Sequence, residues 1–289
     1  MIALITTCDP QRFNLLRPFV AHYRAYGVRR FFINLHFDVC YPPEQYAVYS
    51  QRANSLLNDL GLSLHSVYAG PFDAMAIRRH HDLIQKKIAS QFRWLISADL
   101  DEFHEFPDQL DKFAPFLDSK HLDGVRGKFV DRMARVGFPE LQPDVSIWKQ
   151  FPLGTDMTRA VLRGWIDKVM LHRPEVRLVP GHHDAYGAAR IRFWPETCAV
   201  HHFKWDATVV PRLKRRLEDD WRRRCPWWTQ SERALSWLDR SEETGAFPGL
   251  RVFDFHDDII IGNGGPLGQN AKYLSSQSSG RQSCREAEF

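Results

Sequence analysis

The 289-residue sequence predicts an α/β fold: a mostly parallel sheet with helices on both faces, followed by a C-terminal helical appendage. Three observations carry this. Short apolar runs alternate with stretches of helical period through the first hundred residues. Turn residues separate each run from its neighbour. The fourth run, Trp94–Ser97, then ends abruptly in Asp99, Asp101 and Glu102, at the kind of strand end where open sheets bind ligands.

The elements follow in order. Residues 2–7 form an apolar first strand. Asn14 can cap a helix whose apolar positions Leu16, Phe19, Val20, Tyr23 and Tyr26 recur at helical spacing, with Gly27 as its stop. Residues 31–35 give a second strand. After Pro42 and Pro43, residues 44–60 read as a helix closed by Gly61, and residues 62–68 as a third strand. Asp73 caps a helix running to about residue 91. Beyond the acidic cluster, Pro107 opens a short helix to about residue 117, and Gly124–Met133 is a further strand carrying Asp131 and Arg132. Residues 138–160, rich in Pro, Gly and polar side chains, read as a long functional loop. Residues 176–179 and 199–203 are strand candidates, and 209–238 is helical and basic. The boundaries expected are 1–208 for the α/β domain, 209–262 for the Trp-rich helical appendage and 263–289 for a disordered Ser/Gln/Gly-rich tail.

Composition excludes several classes. A hydrophobic fraction of 44% with a formal charge of +4 describes an ordinary globular chain, and implies no bulk polyanion partner; nucleic acid is not expected. Five scattered cysteines without C-x-x-C spacing argue for reduced thiols in the cytoplasm, not a disulfide framework or structural zinc. No apolar run approaches the roughly 20 residues that span a bilayer. The apolar start lacks the basic region of a signal peptide. There is no phosphate loop, nucleophile elbow or dinucleotide-binding glycine turn.

The acidic cluster is the first candidate site. A buried strand has no use for adjacent unpaired carboxylates, because each is costly to desolvate. At a strand end, Asp-x-Asp keeps two acids close enough to share one hard cation, and carboxylates with substrate phosphates are how Mg²⁺ or Mn²⁺ is usually held.

In this setting the chain resembles the bacterial family 2-like glycosyltransferases of the GT-A, Rossmann-like fold. The resemblance rests on His22-Tyr23-Arg24-Ala25-Tyr26-Gly27-Val28 before the second strand and on the DXD-type Asp99-Leu100-Asp101-Glu102-Phe103. It continues through Val130-Asp131-Arg132, Gln150-Phe151-Pro152, Asp167-Lys168-Val169, Gly181-His182-His183 and His201-His202-Phe203-Lys204. It implies a metal-dependent, inverting transfer of a sugar from a nucleotide-sugar donor to a glycan or lipid-linked acceptor, building a surface or secreted polysaccharide.

The resemblance implies roles residue by residue. Asp99 would meet the nucleotide ribose; Asp101, His202 and His183 would hold the metal. Lys168 and Arg132 would contact the diphosphate, and Glu102 is a support or an alternative ligand. Inversion needs a carboxylate base; Asp131 is preferred, with Asp156 and Asp184 as alternatives. The tandem His80-His81 reads as surface or nucleotide-adjacent.

Residues 212–228 hold seven Lys/Arg among tryptophans, including Trp221, Trp227 and Trp228. They fit a peripheral contact with the inner face of a membrane, or a helix closing over the donor. The readings that compete with a transferase of sugars are a non-catalytic membrane- or nucleic-acid-binding module and a nucleotidyltransferase.

Overall fold

The computed structural model describes residues 1–218, 226–244 and 247–255. The first half alternates as β1 (Ile2–Cys8), α1 (Leu16–Ala25), β2 (Arg30–Phe37), α2 (Tyr46–Asp59), β3 (Leu64–Ala69), α3 (Ala74–Ile88) and β4 (Trp94–Ser97). Then come β5 (Glu102–His104), α4 (Leu110–Ser119), β6 (Gly124–Met133), α5 (Ile147–Gln150), β7 (Leu153–Thr155), α6 (Met157–Ala160), β8 (Asp167–His172) and β9 (Cys198–His202). Helices α7 (Val209–Glu218) and α8 (Pro226–Thr244) and strand β10 (Val252–Asp254) complete the described chain.

Among the described residues the strands form one mixed sheet, in the order β10-β7-β6-β8-β4-β1-β2-β3, with β9 bridging β5 and β6. The expectation of a mostly parallel sheet is corrected here. The β4-β1-β2-β3 half is parallel, but β8 runs antiparallel between β4 and β6, and β7 and β10 extend the sheet antiparallel. A parallel partner needs a crossover, usually a full helix. Between β6 and β8 the chain offers only the four-residue helices α5 and α6.

Helices cover both faces of the parallel half. Alternate residues of β1 point opposite ways: Leu4 joins the large cluster with Phe19, Tyr23 and Leu57 of α1 and α2, whereas Ala3 and Ile5 pack on Ile84 and Ile88 of α3. Helices α7 and α8 share a separate cluster, in which Leu213, Trp237 and Leu238 meet Met133, Leu153 and Met157.

Three local expectations change. Asn14 lies within a 3₁₀ turn, Pro10–Leu15, and Asp9 caps that turn by accepting from the Gln11 N–H. The stretch expected to be a loop, 138–160, contains α5, β7 and α6. Residues 176–179 form no strand beyond an isolated bridge at Leu178. Asp73 does cap α3, accepting from the N–H groups of Met75 and Ala76. Among the described residues no helix is long and apolar enough to cross a membrane. The tail at 263–289, residues 219–225 of the basic segment and the side chain of Trp227 lie outside the described residues.

Candidate functional site

A cleft of about 290 Å³ opens beyond the carboxyl ends of β1, β2 and β4. Thr7, His36, Asp99, Asp101, Lys168, His183 and His202 line it, and α7 closes one side with Arg212, Arg215 and Arg216.

Register explains how residues distant in sequence converge there. Strand β9 lies between β5 and β6, so His202 is the cross-strand neighbour of both Glu102 and Asp131. The His202 ring stacks on Phe129, with centroids 4.5 Å apart. Its Nδ1 lies 3.0 Å from Asp131 Oδ1. An ionised carboxylate only accepts, so Nδ1–H donates to Asp131. Nε2 then faces Asp101, 3.8 Å from Oδ2.

Asp131 sits behind His202 and is 1% exposed. Its carboxylate also accepts from the Thr158 N–H at 2.6 Å, the Thr158 hydroxyl at 2.9 Å and the Trp205 indole at 3.3 Å. Burial alone would raise its pKa, but His202 and the Thr158 donors outweigh it and hold the carboxyl below its ordinary value. Neither Asp131 nor the alternatives Asp156 and Asp184 line the cleft. Asp156 accepts from the Arg251 N–H, and Asp184 pairs with Arg126.

Arg132 is one strand step from Asp131 and therefore faces away from the cleft. It donates to the Phe151 carbonyl and lies 4.3 Å from the Phe255 ring centroid. Burial pushes its guanidinium down to about 9, against the pull of Glu105 and Asp254. The expectation that it contacts a diphosphate is corrected by this orientation. His201 shares the far face and bonds Glu105.

Lys168 lines the cleft, but its ammonium is already engaged. It pairs with Glu102 at 2.6 Å and Asp99 at 3.5 Å, and donates to the Gly181 carbonyl. Burial lowers its pKa, yet Glu102 and Asp99 outweigh burial and raise it. Glu102 is 2% exposed and bound to Lys168, whereas the Asp99 side chain is 45% exposed.

Gly181 has φ +72°, and a Cβ there would lie 2.8 Å from His183 Cδ2. Glycine therefore admits both the turn and the close-packed His183 ring. His183 donates Nδ1–H to the Asp167 carbonyl, and burial, then Lys168, pushes it down to about 3. Its neighbour His182 stacks on His81. His81 is fully buried and bonded to the Thr7 hydroxyl, not on the surface.

Arg12, from the turn after β1, ties the site together. Its guanidinium donates to Asp101 at 3.2 Å, to Asp206 at 3.0 Å and to the Phe203 carbonyl at 2.8 Å. Asp206 in turn accepts from the Thr208 N–H at the start of α7. Burial would raise Asp101, but Arg12, His202, Arg212 and Lys204 outweigh it and hold the carboxyl far below the usual range. Lys204, also lining the cleft, is pushed down to about 7 by burial, then by Arg216 and Arg212. The described arginines of the basic segment at 212, 215 and 216 thus face the cleft.

Among the described residues no three His, Cys, Asp or Glu side chains form a metal-binding group. The pair that could share a cation is Asp101 and His202; His183, expected as a third ligand, forms no such group with them and bonds the Asp167 carbonyl. Sequence reading missed Arg12 and Asp206. No local signal marks Arg12, which lies in the 3₁₀ turn after β1 and whose partners are distant in sequence. Compared with known proteins, the chain matches no family model and no curated protein sequence.

Proposed function

We propose that this chain is a GT-A-type glycosyltransferase that moves a sugar from a nucleotide-sugar donor to a glycan or lipid-linked acceptor. One observation carries the reading. In a cleft at the carboxyl ends of parallel strands, Asp101 of the acidic motif and His202 face each other at 3.8 Å, beside a basic wall from α7.

The donor set fits a divalent ion that takes one or two side chains and completes its shell with phosphate oxygens and water. The Asp131–His202 hydrogen bond is the outer contact that fixes a ligating imidazole's tautomer. Held by Asp101 and His202, Mn²⁺ or Mg²⁺ would supply Lewis-acid neutralisation of the leaving diphosphate.

The chain's own residues do the rest. Arg12 and Asp131 position Asp101 and His202 respectively. Lys204, Arg212 and Arg216 crowd positive charge where an anionic leaving group would relieve it. Lys168 orients Asp99. Asp131, enclosed by four donors, serves His202 and is not the base. Asp99 has the access that a base or ribose contact needs.

Thermal-shift screening of UDP-, GDP- and ADP-sugars with Mn²⁺ tests the reading, because a ligand of the folded state raises stability. We expect stabilisation by at least one donor, reversed by EDTA and absent in Asp101→Asn. A chain stabilised by none of them would overturn it. Response to nucleoside triphosphates alone, with diphosphate release, would indicate nucleotidyl transfer instead.

A further inference from the structure

Among the tryptophans whose side chains are described, Trp165 is the exposed one, with Trp148, Trp194 and Trp228 half-buried. Trp94, Trp205 and Trp237 are at most 1% exposed, whereas Trp165 is 52% exposed and lines the cleft. The segment that presents it is held tightly. Arg163 adopts a left-handed backbone at φ +52°, a conformation that non-glycine residues keep only where surrounding contacts enforce it. The Gly164 N–H donates to the Thr158 carbonyl, and Arg233 donates to the Leu162 carbonyl. A Cβ on Gly164 would lie 3.1 Å from Gln230 Nε2, so the backbone passes close against α8.

The surroundings of Trp165 are polar. His183 meets its ring edge-on at 5.6 Å, and Thr158 and Gln230, which also line the cleft, lie against the adjoining Gly164. Thr158 is also the residue whose hydroxyl supports Asp131 beneath His202. An apolar face rimmed by hydrogen-bonding groups suits a ligand with the same division. A pyranose ring has it: polarised C–H groups on one face, which match the negative face of an indole, and hydroxyls around the edge. A lipid chain would leave the polar rim unpaired.

We propose that Trp165 is the stacking platform of the acceptor subsite, and that the acceptor presents a pyranose ring there with Gln230 and His183 at its rim. This rests on the glycosyltransferase reading, and the two can fail separately.

The test is saturation-transfer NMR on the full chain with Mg²⁺ and UDP, GDP or ADP, using methyl glycosides of glucose, galactose, mannose and rhamnose as probes. We expect ring-proton saturation of at least one glycoside. Trp165→Ala should weaken that binding about tenfold, the upper range of an aromatic stacking contact, and Trp165→Phe should restore most of it. Nucleotide binding should be the same in all three proteins. Saturation of no glycoside, or equal saturation in Trp165→Ala, overturns the subsite while leaving the donor site standing. Failure of the wild-type chain to bind any of UDP, GDP and ADP overturns the function on which it rests.

Discussion

Acidification from pH 7 to pH 5 should remove much of the stability of this fold, through histidines buried in the neutral form. Burial pushes His22 down to about 3, and His81 and His172 to about 4, from an ordinary 6.5. All three are at most 4% exposed. Each ring already has a carbonyl or hydroxyl partner: His104 O, the Thr7 hydroxyl and Arg173 O respectively. Because the folded-state values are depressed, the unfolded chain binds more protons below pH 6.5, and stability falls as pH drops through that value. It is fully present above 6.5. At pH 5 each histidine should remove about 2 kcal/mol, from 1.36 kcal/mol per pH unit over the window below 6.5. Together that is about 6 kcal/mol, against a total of about 5–15 kcal/mol for a typical domain. Urea denaturation followed by circular dichroism at pH 7, 6 and 5 measures the change. An unfolding free energy that falls by less than about 1 kcal/mol over this range, far short of the linkage sum, would refute the assignment of these rings as buried and neutral.

Three further outcomes are expected. Asp131→Asn should lower metal-dependent nucleotide affinity by about 10–100-fold, the usual scale for an outer partner of a ligating histidine; unchanged affinity by calorimetry with lost transfer would restore Asp131 as the base. Nucleotide diphosphate binding near pH 8 should take up a proton at Lys204, because an anion offsets the burial, and then the repulsion from Arg216 and Arg212, that hold this ammonium at about 7; calorimetry in buffers of different ionisation enthalpy should show the uptake in the wild type and lose it in Lys204→Met. Gly181→Ala should destabilise the fold by more than about 1 kcal/mol, since it forces a β-carbon into a left-handed turn and against His183; equilibrium unfolding measures this, and a neutral result would show that the turn relaxes freely.

The parallel half of the fold was legible because each of its elements carries a local signal. Residues 2–7, 31–35 and Trp94–Ser97 are short, mostly apolar runs, and Asp73 marks the start of α3 by its own side chain. The antiparallel half was legible only in part: residues 124–133 and 199–203 read as strands and correspond to β6 and β9. Strands β5, β7 and β10 are three residues each, too short to show a period, and their pairing is set by tertiary contacts. That is why 138–160 read as a loop. Within the site, the convergence of Asp101 and His202 follows the strand-end position of one and the trailing histidine motif of the other. Asp131 and Arg132 could not both face the cleft, since neighbours in a strand point opposite ways. That Asp131 lies on the cleft side, yet behind His202 and not lining the cleft, depends on the β5-β9-β6 register, which no local pattern encodes. Arg12 was invisible for a different reason: its partners at 101, 203 and 206 are all distant in sequence.

The central claim is that Asp101 and His202 share one cation with a nucleotide diphosphate. Electron paramagnetic resonance of Mn²⁺ added with UDP or GDP tests it directly, through nitrogen hyperfine coupling to the metal. A coupling from one imidazole nitrogen that disappears in His202→Ala is expected, with weaker Mn²⁺ binding in Asp101→Asn. Nucleotide bound equally well in EDTA, or a bound Mn²⁺ signal unchanged in His202→Ala, would contradict it.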